Sequence, residues 1–248
     1  MSIQVALITG ALTGIGRATA ITFAQAGARV VVSGRREDAG RALAAELRDI
    51  GAEAEFVRAD TRYEDDVRNL IDQAVARFGR LDMAVNNAGT DGKSGPLVDQ
   101  SPENYAAIFD TNVLGVVLCM KHELRVMQSQ GQGSIINLSS VAGHKGFAGA
   151  ALYVASKHAV EGLTKVAALE AAASGVRVNA VAPGPVQTDM LERFTGDAAG
   201  KAAFLAAVPA RRAGTPEEIA AMIRFLASEQ ASFVTGQIVS VDGGVSAQ

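Results

Sequence analysis

The sequence predicts an α/β protein built on a parallel sheet, and three observations support this fold class. The length of 248 residues and the 48% hydrophobic composition suit one domain with a large core. Short apolar runs alternate with longer helical patterns along the chain, as in repeated βα units. These runs are continuous, which is typical of parallel strands that are covered by helices on both faces. We therefore expect a single domain over residues 1–248.

Seven of the apolar runs are predicted as strands, because each is short and is followed by turn residues or a helical pattern. No internal repeat, low-complexity segment or long linker interrupts the series. The predicted strands are Val5 to Thr9, Arg29 to Ser33, Ala54 to Arg58, Met83 to Asn86, Ser134 to Leu138, Val176 to Val181 and Ile238 to Val241.

Charge and cysteine content exclude several classes of protein. The net charge is −3, from 23 basic and 26 acidic residues that are spread along the chain, so no basic stripe indicates nucleic-acid binding. Cys119 is the only cysteine, which precludes an internal disulfide and a cysteine-based zinc site. No apolar run approaches the roughly 18 residues of a membrane span. We expect a cytoplasmic protein without a metal, membrane or nucleic-acid partner.

A glycine-rich turn follows the first strand and opens a helical pattern that extends to about Gln25. Glycines at positions 10, 14 and 16 allow a tight turn and a close approach of the backbone to a pyrophosphate at the helix N-terminus. The spacing matches neither G-x-G-x-x-G nor the P-loop. Ordinary turn chemistry is the alternative. Because the turn follows the first strand of a βαβ series, dinucleotide binding is favoured.

The end of the second strand bears on the choice of cofactor. An NAD site commonly has a carboxylate there, whereas this chain has Ser33-Gly34-Arg35-Arg36 and no acidic residue before Glu37. Arg35 could bind a 2′-phosphate through a charge-assisted fork, and Ser33 could add a hydroxyl group. We therefore expect NADP(H) to be favoured over NAD(H). Two solvated arginines at a helix start are the alternative.

Tyr153 and Lys157 are four residues apart, so on a helix they share one face. A nearby positive charge favours the phenolate and lowers the pKa of a tyrosine from its ordinary value of about 10. The pair is therefore a candidate general acid/base. The alternative is an aromatic ring packed beneath the stem of an exposed lysine.

Taken together, these features resemble the short-chain dehydrogenase/reductase family in its short single-domain form, over essentially the whole chain. Eight marks occur in the family's order. They are Thr9-Gly10-x-x-x-Gly14-Ile15-Gly16, Asp60, Asn86-Asn87-Ala88-Gly89, Asn112, Ser139-Ser140, Tyr153-x-x-x-Lys157, Pro183-Gly184 with Thr188, and Val241-Asp242-Gly243-Gly244.

The resemblance implies a Rossmann-type, doubly wound seven-stranded parallel sheet in the order 3-2-1-4-5-6-7, with helices on both faces. It also implies hydride transfer between a nicotinamide and an alcohol or carbonyl carbon. In that reaction Ser140 and Tyr153 would meet the charge on the carbonyl oxygen, and Tyr153 would transfer the proton. Lys157 would lower the pKa of Tyr153 and hold the nicotinamide ribose, and Asn112 would anchor a water path. Ser139 would be structural.

The resemblance also implies which residues bind the cofactor. Several of them lie at the carboxyl ends of predicted strands, where open α/β sheets bind ligands. The expected cofactor-binding residues are Gly10, Thr13, Gly14, Ile15, Gly16, Ser33, Arg35, Arg36, Asp60, Thr61, Asn87, Ala88, Gly89, Tyr153, Lys157, Pro183, Gly184, Val186 and Thr188.

Departures from the family pattern leave other activities open. Thr13 replaces a basic residue that many NADP-using relatives carry, so Arg35 must supply more of the 2′-phosphate preference. Relatives that reduce acyl groups on a carrier protein often have arginines where this chain has Gln130, Gln132 and Ser174. Besides a ketone reductase or secondary-alcohol dehydrogenase, the alternatives are a 3-oxoacyl-thioester reductase, an NAD-using sugar dehydrogenase and a non-catalytic cofactor-binding regulator.

The substrate and the assembly are less well defined by the sequence. Residues 186–210 resemble the variable substrate lid of the family, and apolar residues there indicate either a pocket wall or core: Met190, Leu191, Phe194, Phe204 and Leu205. His144 either binds a polar substrate group or is solvated, and no residue of the loop 91–96 can be assigned. Helical stretches that are apolar on more than one face indicate a partner subunit. The resemblance implies a homotetramer, with Cys119, Met120 and Met127 packing in it.

Overall fold

In the computed structural model, which describes residues 3–248, seven parallel strands form one sheet in the order β3-β2-β1-β4-β5-β6-β7. This confirms the predicted fold and strand order. The predicted strand ends are wrong by at most two residues, and Met1 and Ser2 of the expected domain lie outside the described residues. The strands are β1 (Val5–Ile8), β2 (Arg29–Gly34), β3 (Ala54–Arg58), β4 (Met83–Asn86), β5 (Gly133–Leu138), β6 (Val176–Pro183) and β7 (Ile238–Val241).

Helices connect the strands and lie on both faces of the sheet. A π-helical turn over Asp110–Leu114 joins two of them into one long element. The helices are α1 (Gly14–Gln25), α2 (Glu37–Asp49), α3 (Glu64–Phe78), α4 (Pro102–Phe109), α5 (Gly115–Gln130), α6 (Ala151–Ala171), α7 (Asp189–Thr195), α8 (Ala198–Ala206) and α9 (Pro216–Ala227).

The two faces of the sheet explain why the strands are continuous apolar runs. In β1, Val5 and Leu7 pack on the side of α3, α5 and α6, whereas Ala6 and Ile8 pack on the side of α1, α2 and α9. All four side chains are fully buried. Because side chains alternate between the faces of a strand, a strand that is covered on both faces must be apolar at every position.

The sulfur-containing residues of α5 pack within this protein and not at an outer face. Cys119, Met120 and Met127 are all buried against the sheet. Their expected place between subunits is therefore wrong, because their side chains point into the core of the chain itself. Burial also raises the pKa of the Cys119 thiol well above its ordinary value.

The strand order brings the carboxyl ends of β1 and β4 together at the centre of the sheet. The chain leaves β1 toward β2 on one side, while β4 leads toward β5 on the other. Such a reversal of strand order opens a crevice, and open α/β sheets bind their ligands in it. No helix within residues 3–248 has both the length and the apolar character that crossing a bilayer requires.

Candidate active site

The glycine-rich turn lies in the crevice between β1 and β4. Gly10 and Gly14 have φ angles of +60° and +54°, which favour glycine. The side-chain amide of Asn87, at the end of β4, donates to the carbonyl oxygens of Thr9 and Gly10 at 3.0 and 2.9 Å. A Cβ atom at Gly16 would collide with that amide and with the Gly10 carbonyl. Asn87 therefore orders the turn.

The N-terminus of α1 is open to an anion. Thr13 precedes the helix, makes no capping hydrogen bond with its side chain, and is exposed. The first turn of α1 has no acidic residue, so backbone N–H groups and the positive end of the helix dipole face outward. Helix ends of this kind bind phosphate groups, and these residues are consistent with a dinucleotide pyrophosphate.

The carboxyl end of β2 presents two cations. Arg35 and Arg36 are exposed, whereas Ser33 is only 1% exposed and its backbone carbonyl accepts from Ala11 N at 3.0 Å. The expected hydroxyl contact of Ser33 with a 2′-phosphate is therefore disfavoured, because its side chain is packed inside the protein. The two guanidinium groups are the groups available to such a phosphate.

Asp60 follows β3 and is held by a residue that the sequence reasoning missed. The Arg62 guanidinium forms a bidentate ion pair with the Asp60 carboxylate, with a shortest N···O distance of 2.6 Å. This hydrogen bonding holds the pKa of Asp60 below its ordinary value. Thr61 is buried, and its hydroxyl oxygen would lie 2.9 Å from a Cβ atom added at Gly115. Thr61 therefore supports the loop against the start of α5.

A cavity of about 400 Å³ extends from the glycine-rich turn to the lid and contains the expected catalytic residues Ser140, Tyr153 and Lys157. Its walls also include expected cofactor-binding residues from three separate segments: Ile15, Asn87, Gly89, Pro183, Gly184, Val186 and Thr188. The tertiary structure thus brings together residues as distant in the chain as Ile15 and Thr188, which are 173 positions apart. Among residues 3–248, no group of three His, Cys, Asp or Glu side chains is placed to hold a metal.

Tyr153 lies in the first turn of α6 with its ring half-buried at the cavity wall. Burial raises the pKa of Tyr153 to about 12, a hydrogen bond with the Ser140 side chain lowers it in part, and the negative charge of Asp91 raises it further. The expected lowering by Lys157 is therefore wrong for the protein alone. Removal of the phenolate from water outweighs the favourable hydrogen bond.

Lys157 is buried one turn further along α6, and its Nζ atom donates to the carbonyl oxygen of Leu138 at 2.7 Å. The same atom lies 5.7 Å from the centre of the Tyr153 ring. Burial lowers the pKa of Lys157 to about 8, because the surroundings disfavour its positive charge. The two residues share a face of the helix, as their spacing predicted.

Asn112 lies in the π-helical turn between α4 and α5 and is buried. Its amide nitrogen donates to the Thr90 carbonyl at 2.8 Å and to Ser156 Oγ at 3.0 Å. Its amide oxygen accepts from Thr90 N at 2.8 Å. The side chain therefore joins the loop after β4 to α6. The π-helical turn is a type of irregularity that is common at functional sites.

The two adjacent serines after β5 point to different neighbours. Ser140 forms the hydrogen bond with Tyr153 and also accepts from Ala142 N at 3.1 Å. Ser139 is buried and donates to Glu161 Oε1 at 2.9 Å. This geometry agrees with the predicted structural role for Ser139.

The outer part of the cavity is mainly apolar and is closed by the lid helices α7 and α8. Phe194 and Phe204 lie edge to face with ring centres 5.3 Å apart. Of the five apolar lid residues, Met190, Leu191, Phe194 and Phe204 line the cavity, whereas Leu205 is not part of its lining.

Other parts of the lining were missed by the sequence reasoning. Asp91 lies in the cavity wall and pairs with Arg193 of the lid at 3.2 Å. Lys145 also lines the cavity and donates to backbone carbonyl oxygens at the C-terminal segment. No local sequence signal marks these residues, because the segments that they join are about 100 positions apart. His144 is not part of the lining and contacts Glu161 instead.

Comparison with known proteins agrees with this geometry. A family model described as enoyl-(acyl carrier protein) reductase matches residues 10–246. Cis-4-hydroxycyclohexanecarboxylate dehydrogenase of Sinomonas cyclohexanicum is 44% identical, over 98% of this chain and 97% of its own. The 3-oxoacyl-[acyl-carrier-protein] reductase of Synechocystis is 43% identical, over 99% and 98%. The chain belongs to the short-chain dehydrogenase/reductase family. Its members are NAD(P)-dependent oxidoreductases of alcohols and ketones, and this chain is one of them.

A solved structure of this family shows the same fold with a cofactor. A variant of actinorhodin polyketide ketoreductase with NADPH superposes with a TM-score of 0.94 at 36% identity, covering 98% of this chain and 97% of the other. The chain therefore has the fold of a short-chain dehydrogenase/reductase.

Proposed function

We propose that this chain is an NADP(H)-preferring carbonyl reductase or secondary-alcohol dehydrogenase that acts on small to medium, largely apolar substrates. The observation that carries the proposal is the convergence of Ser140, Tyr153 and Lys157 on one cavity. That cavity adjoins the glycine-rich turn at one end and the apolar lid at the other. A cofactor and a ketone can therefore meet beside the hydroxyl groups of Ser140 and Tyr153.

The chemistry assigns separate tasks to the residues in the cavity. A bound nicotinamide supplies the hydride for reduction or accepts it in oxidation. As negative charge develops on the carbonyl oxygen, the hydroxyl groups of Ser140 and Tyr153 donate hydrogen bonds to it. Tyr153 then delivers its proton to that oxygen as general acid, and in oxidation accepts it as general base. A pKa of about 12 keeps Tyr153 protonated at neutral pH, which suits reduction.

Lys157 and Asn112 support this pair. Lys157 would hold the nicotinamide ribose, and its positive charge would favour loss of the Tyr153 proton once the carbonyl group is in place. Asn112 orders the loop after β4 against α6 through Thr90 and Ser156. It would also anchor the water path that returns a proton to Tyr153.

The preference for NADP(H) rests on the end of β2. Arg35 and Arg36 are exposed there, and the charge of Arg35 contributes to the lowered pKa of the nearby Asp60. A planar guanidinium group binds a phosphate through two parallel hydrogen bonds. The similar ketoreductase structure with NADPH supports this preference.

The substrate class is supported by the cavity wall and by the relatives. Phe194, Phe204 and Met190 make the outer wall apolar, which suits a ring or a short hydrocarbon chain. The Sinomonas relative is named for a substrate that contains a cyclohexane ring with a hydroxyl group. A cyclic secondary alcohol or ketone is therefore the preferred candidate.

Reduction of 3-oxoacyl groups on a carrier protein is the second candidate, because the Synechocystis relative carries that name. Two of the positions at which such reductases often have arginines are occupied by Gln130 and Gln132. The Gln130 side chain bonds to both backbone groups of Leu81. A basic patch would steer an acidic carrier protein, and this region lacks its arginines. A higher kcat/KM value for a carrier-bound 3-oxoacyl group than for a free ketone would favour this candidate.

The proposal is tested by a screen of cyclic and linear ketones and alcohols with NADPH and NADH. We expect turnover of cyclic ketones with a lower KM for NADPH. Tyr153→Phe should lower kcat by about 10²–10⁴-fold, the range of general acid catalysis. A variant that retained the original turnover on the active ketones would show that the mechanism is wrong.

We also propose a cytoplasmic homotetramer. On α6, Val166 and Leu169 are 53% and 83% exposed, and Phe233, before β7, is fully exposed. Val166 and Leu169 are three residues apart and share one face of α6, and exposed apolar patches commonly mark protein interfaces. Light scattering of the purified protein should give about four times the mass of one chain, and a monomer would contradict the proposal.

A further inference from the structure

A buried carboxylate lies behind the proposed catalytic pair. Glu161 is on α6, one turn beyond Lys157, and is 6% exposed. Its Oε1 atom accepts from the Ser139 hydroxyl group at 2.9 Å and lies 3.0 Å from His144 Nδ1. Ser139 and His144 flank the short turn Val141–Gly143 that follows β5. One carboxylate oxygen thus binds both ends of this turn.

The backbone of the turn packs directly on the same carboxylate. A Cβ atom at Gly143 would collide with Glu161 Oε1 and with Ser139 Oγ. Only a residue without a side chain allows this approach. The turn and the carboxylate are therefore in direct contact, in addition to the two polar contacts.

His144 extends the cluster to a third element. A carboxylate can only accept, so His144 Nδ1 must carry the proton in its contact with Glu161. The other ring nitrogen, Nε2, lies 3.4 Å from Ser240 Oγ on β7. The imidazole ring thus bridges α6 and the edge strand and does not contact the cavity.

The orientation of Ser140 follows from that of Ser139. The backbone at Ser140 is extended, with φ −168° and ψ 161°, and neighbouring side chains on an extended segment point in opposite directions. While Ser139 bonds to Glu161, Ser140 therefore faces Tyr153. Both Glu161 and Tyr153 belong to α6. This helix therefore positions Tyr153 directly and Ser140 through the bond of Glu161 to Ser139.

We propose that Glu161 is a positioning residue that holds the Ser140 hydroxyl group against Tyr153, through its bonds to Ser139 and His144. The inference rests on the proposed function, in which Ser140 and Tyr153 share the charge on the carbonyl oxygen. Glu161 itself is not part of the cavity lining. Its effect on the rate passes through Ser140.

The test is a double-mutant cycle with the best ketone of the screen and NADPH. Glu161→Ala should lower kcat by about 10–100-fold, because a shift of about 1 Å in a positioned group has an effect of that order. KM and the Kd of NADPH should stay within about twofold of their original values, since the substrate and cofactor contacts remain. Glu161→Gln should recover most of the rate, because its amide oxygen can still accept from Ser139.

The decisive comparison uses the Ser140→Ala background. If Glu161 acts through Ser140, adding Glu161→Ala to that background should change kcat by less than about twofold. Multiplicative effects of the two substitutions would overturn the proposal, and so would an unchanged kcat in Glu161→Ala alone. Glu170→Ala is the matched control, because it removes an exposed glutamate from the same helix.

A second readout does not depend on activity. Hydrogen exchange of the backbone amides of residues 139–146 should become at least about tenfold faster in Glu161→Ala, with the amides of α3 unchanged. Unchanged exchange in the turn would contradict the proposal. An active Tyr153→Phe variant would instead refute the proposed function, so the two failures are distinguishable.

Discussion

The side-chain amide of Asn112 donates a hydrogen bond of 3.0 Å to the hydroxyl oxygen of Ser156. Ser156 in turn donates to the Tyr153 carbonyl at 2.7 Å, within α6. The π-helical turn before α5 is therefore connected to the helix that carries the proposed acid/base pair. Because Asn112 also binds both backbone groups of Thr90, one side chain aligns three segments of the site.

Asn112→Ala should destabilise the protein and slow the reaction more than Ser156→Ala does. The first substitution leaves both backbone groups of Thr90 without their partner, at a cost of about 1–3 kcal/mol. The second removes the bonds of the Ser156 hydroxyl group to Asn112 and to the Tyr153 carbonyl but leaves Thr90 paired, and it should cost about 1 kcal/mol. Urea unfolding and kcat for ketone reduction measure both effects. Equal losses in the two variants would show that Asn112 does not have this joining role.

Arg35→Ala should weaken NADPH binding without weakening NADH binding. The guanidinium group is exposed at the end of β2, and a hydrogen bond to a charged group contributes about 1.5–3 kcal/mol. The KM for NADPH should therefore rise about tenfold or more, since 1.4 kcal/mol corresponds to a factor of about ten. Arg41→Ala serves as the control, because it removes an exposed arginine from the next helix, α2, where Arg41 pairs with Glu37. Parallel increases in the KM of both cofactors would contradict a 2′-phosphate contact.

Gly16→Ala should raise the Kd of the cofactor at least about tenfold. A methyl group there would collide with the Asn87 amide and the Gly10 carbonyl, and overpacking of this kind costs about 1–3 kcal/mol. Titration of the intrinsic NADPH fluorescence measures the effect. Gly162→Ala is the matched control, because its Cβ atom would meet open space on α6. It should bind NADPH normally and gain about 0.5–1 kcal/mol of stability.

Glu123 should make the stability of the protein depend on pH between about 4.5 and 7. It is fully buried on α5, and burial raises its pKa from an ordinary 4.5 to about 7, in spite of a hydrogen bond from Asn86 at 3.0 Å. Its pKa is thus higher in the folded than in the unfolded chain. The free energy of unfolding is therefore highest below about pH 4.5. It falls by on the order of 3 kcal/mol as the pH rises to about 7.

Glu123→Gln should abolish this part of the pH dependence, because an amide does not ionise in this range. Urea unfolding from pH 5 to pH 8 should show a falling free energy for the original protein and a flatter curve for the variant. Glu170→Gln, on an exposed position of α6, should follow the original curve. Identical curves for all three proteins would mean that Glu123 has an ordinary pKa.

The parts of the site that depend on local sequence could be predicted. The glycine spacing indicated the turn at the start of α1, where Gly10 and Gly14 do adopt positive φ angles. The four-residue spacing placed Tyr153 and Lys157 on one face of α6. The continuous apolar runs predicted strands that are covered on both faces. Each of these properties is determined by residues that are close together in the chain.

Contacts between distant segments could not be predicted in the same way. The ion pair of Asp91 with Arg193, the cluster of Glu161 with Ser139 and His144, and the closure of the cavity by residues near the C-terminus carry no periodic signal. The pKa of Tyr153 shows the reason most clearly. The sequence placed a positive charge near it and predicted a lower pKa, whereas the tertiary structure buries the phenol and raises its pKa to about 12.

The sequence by itself determined the fold class, the strand order through the family resemblance, and several of the residues that line the cavity, among them Ser140, Tyr153 and Lys157. Only the tertiary structure decided how those residues are held and how strongly they bind their protons. Side-chain spacing depends on the local helix or strand geometry, which a few neighbouring residues set. Desolvation depends on every segment that packs around a group, so its effect on a proton appears only when the whole chain has folded.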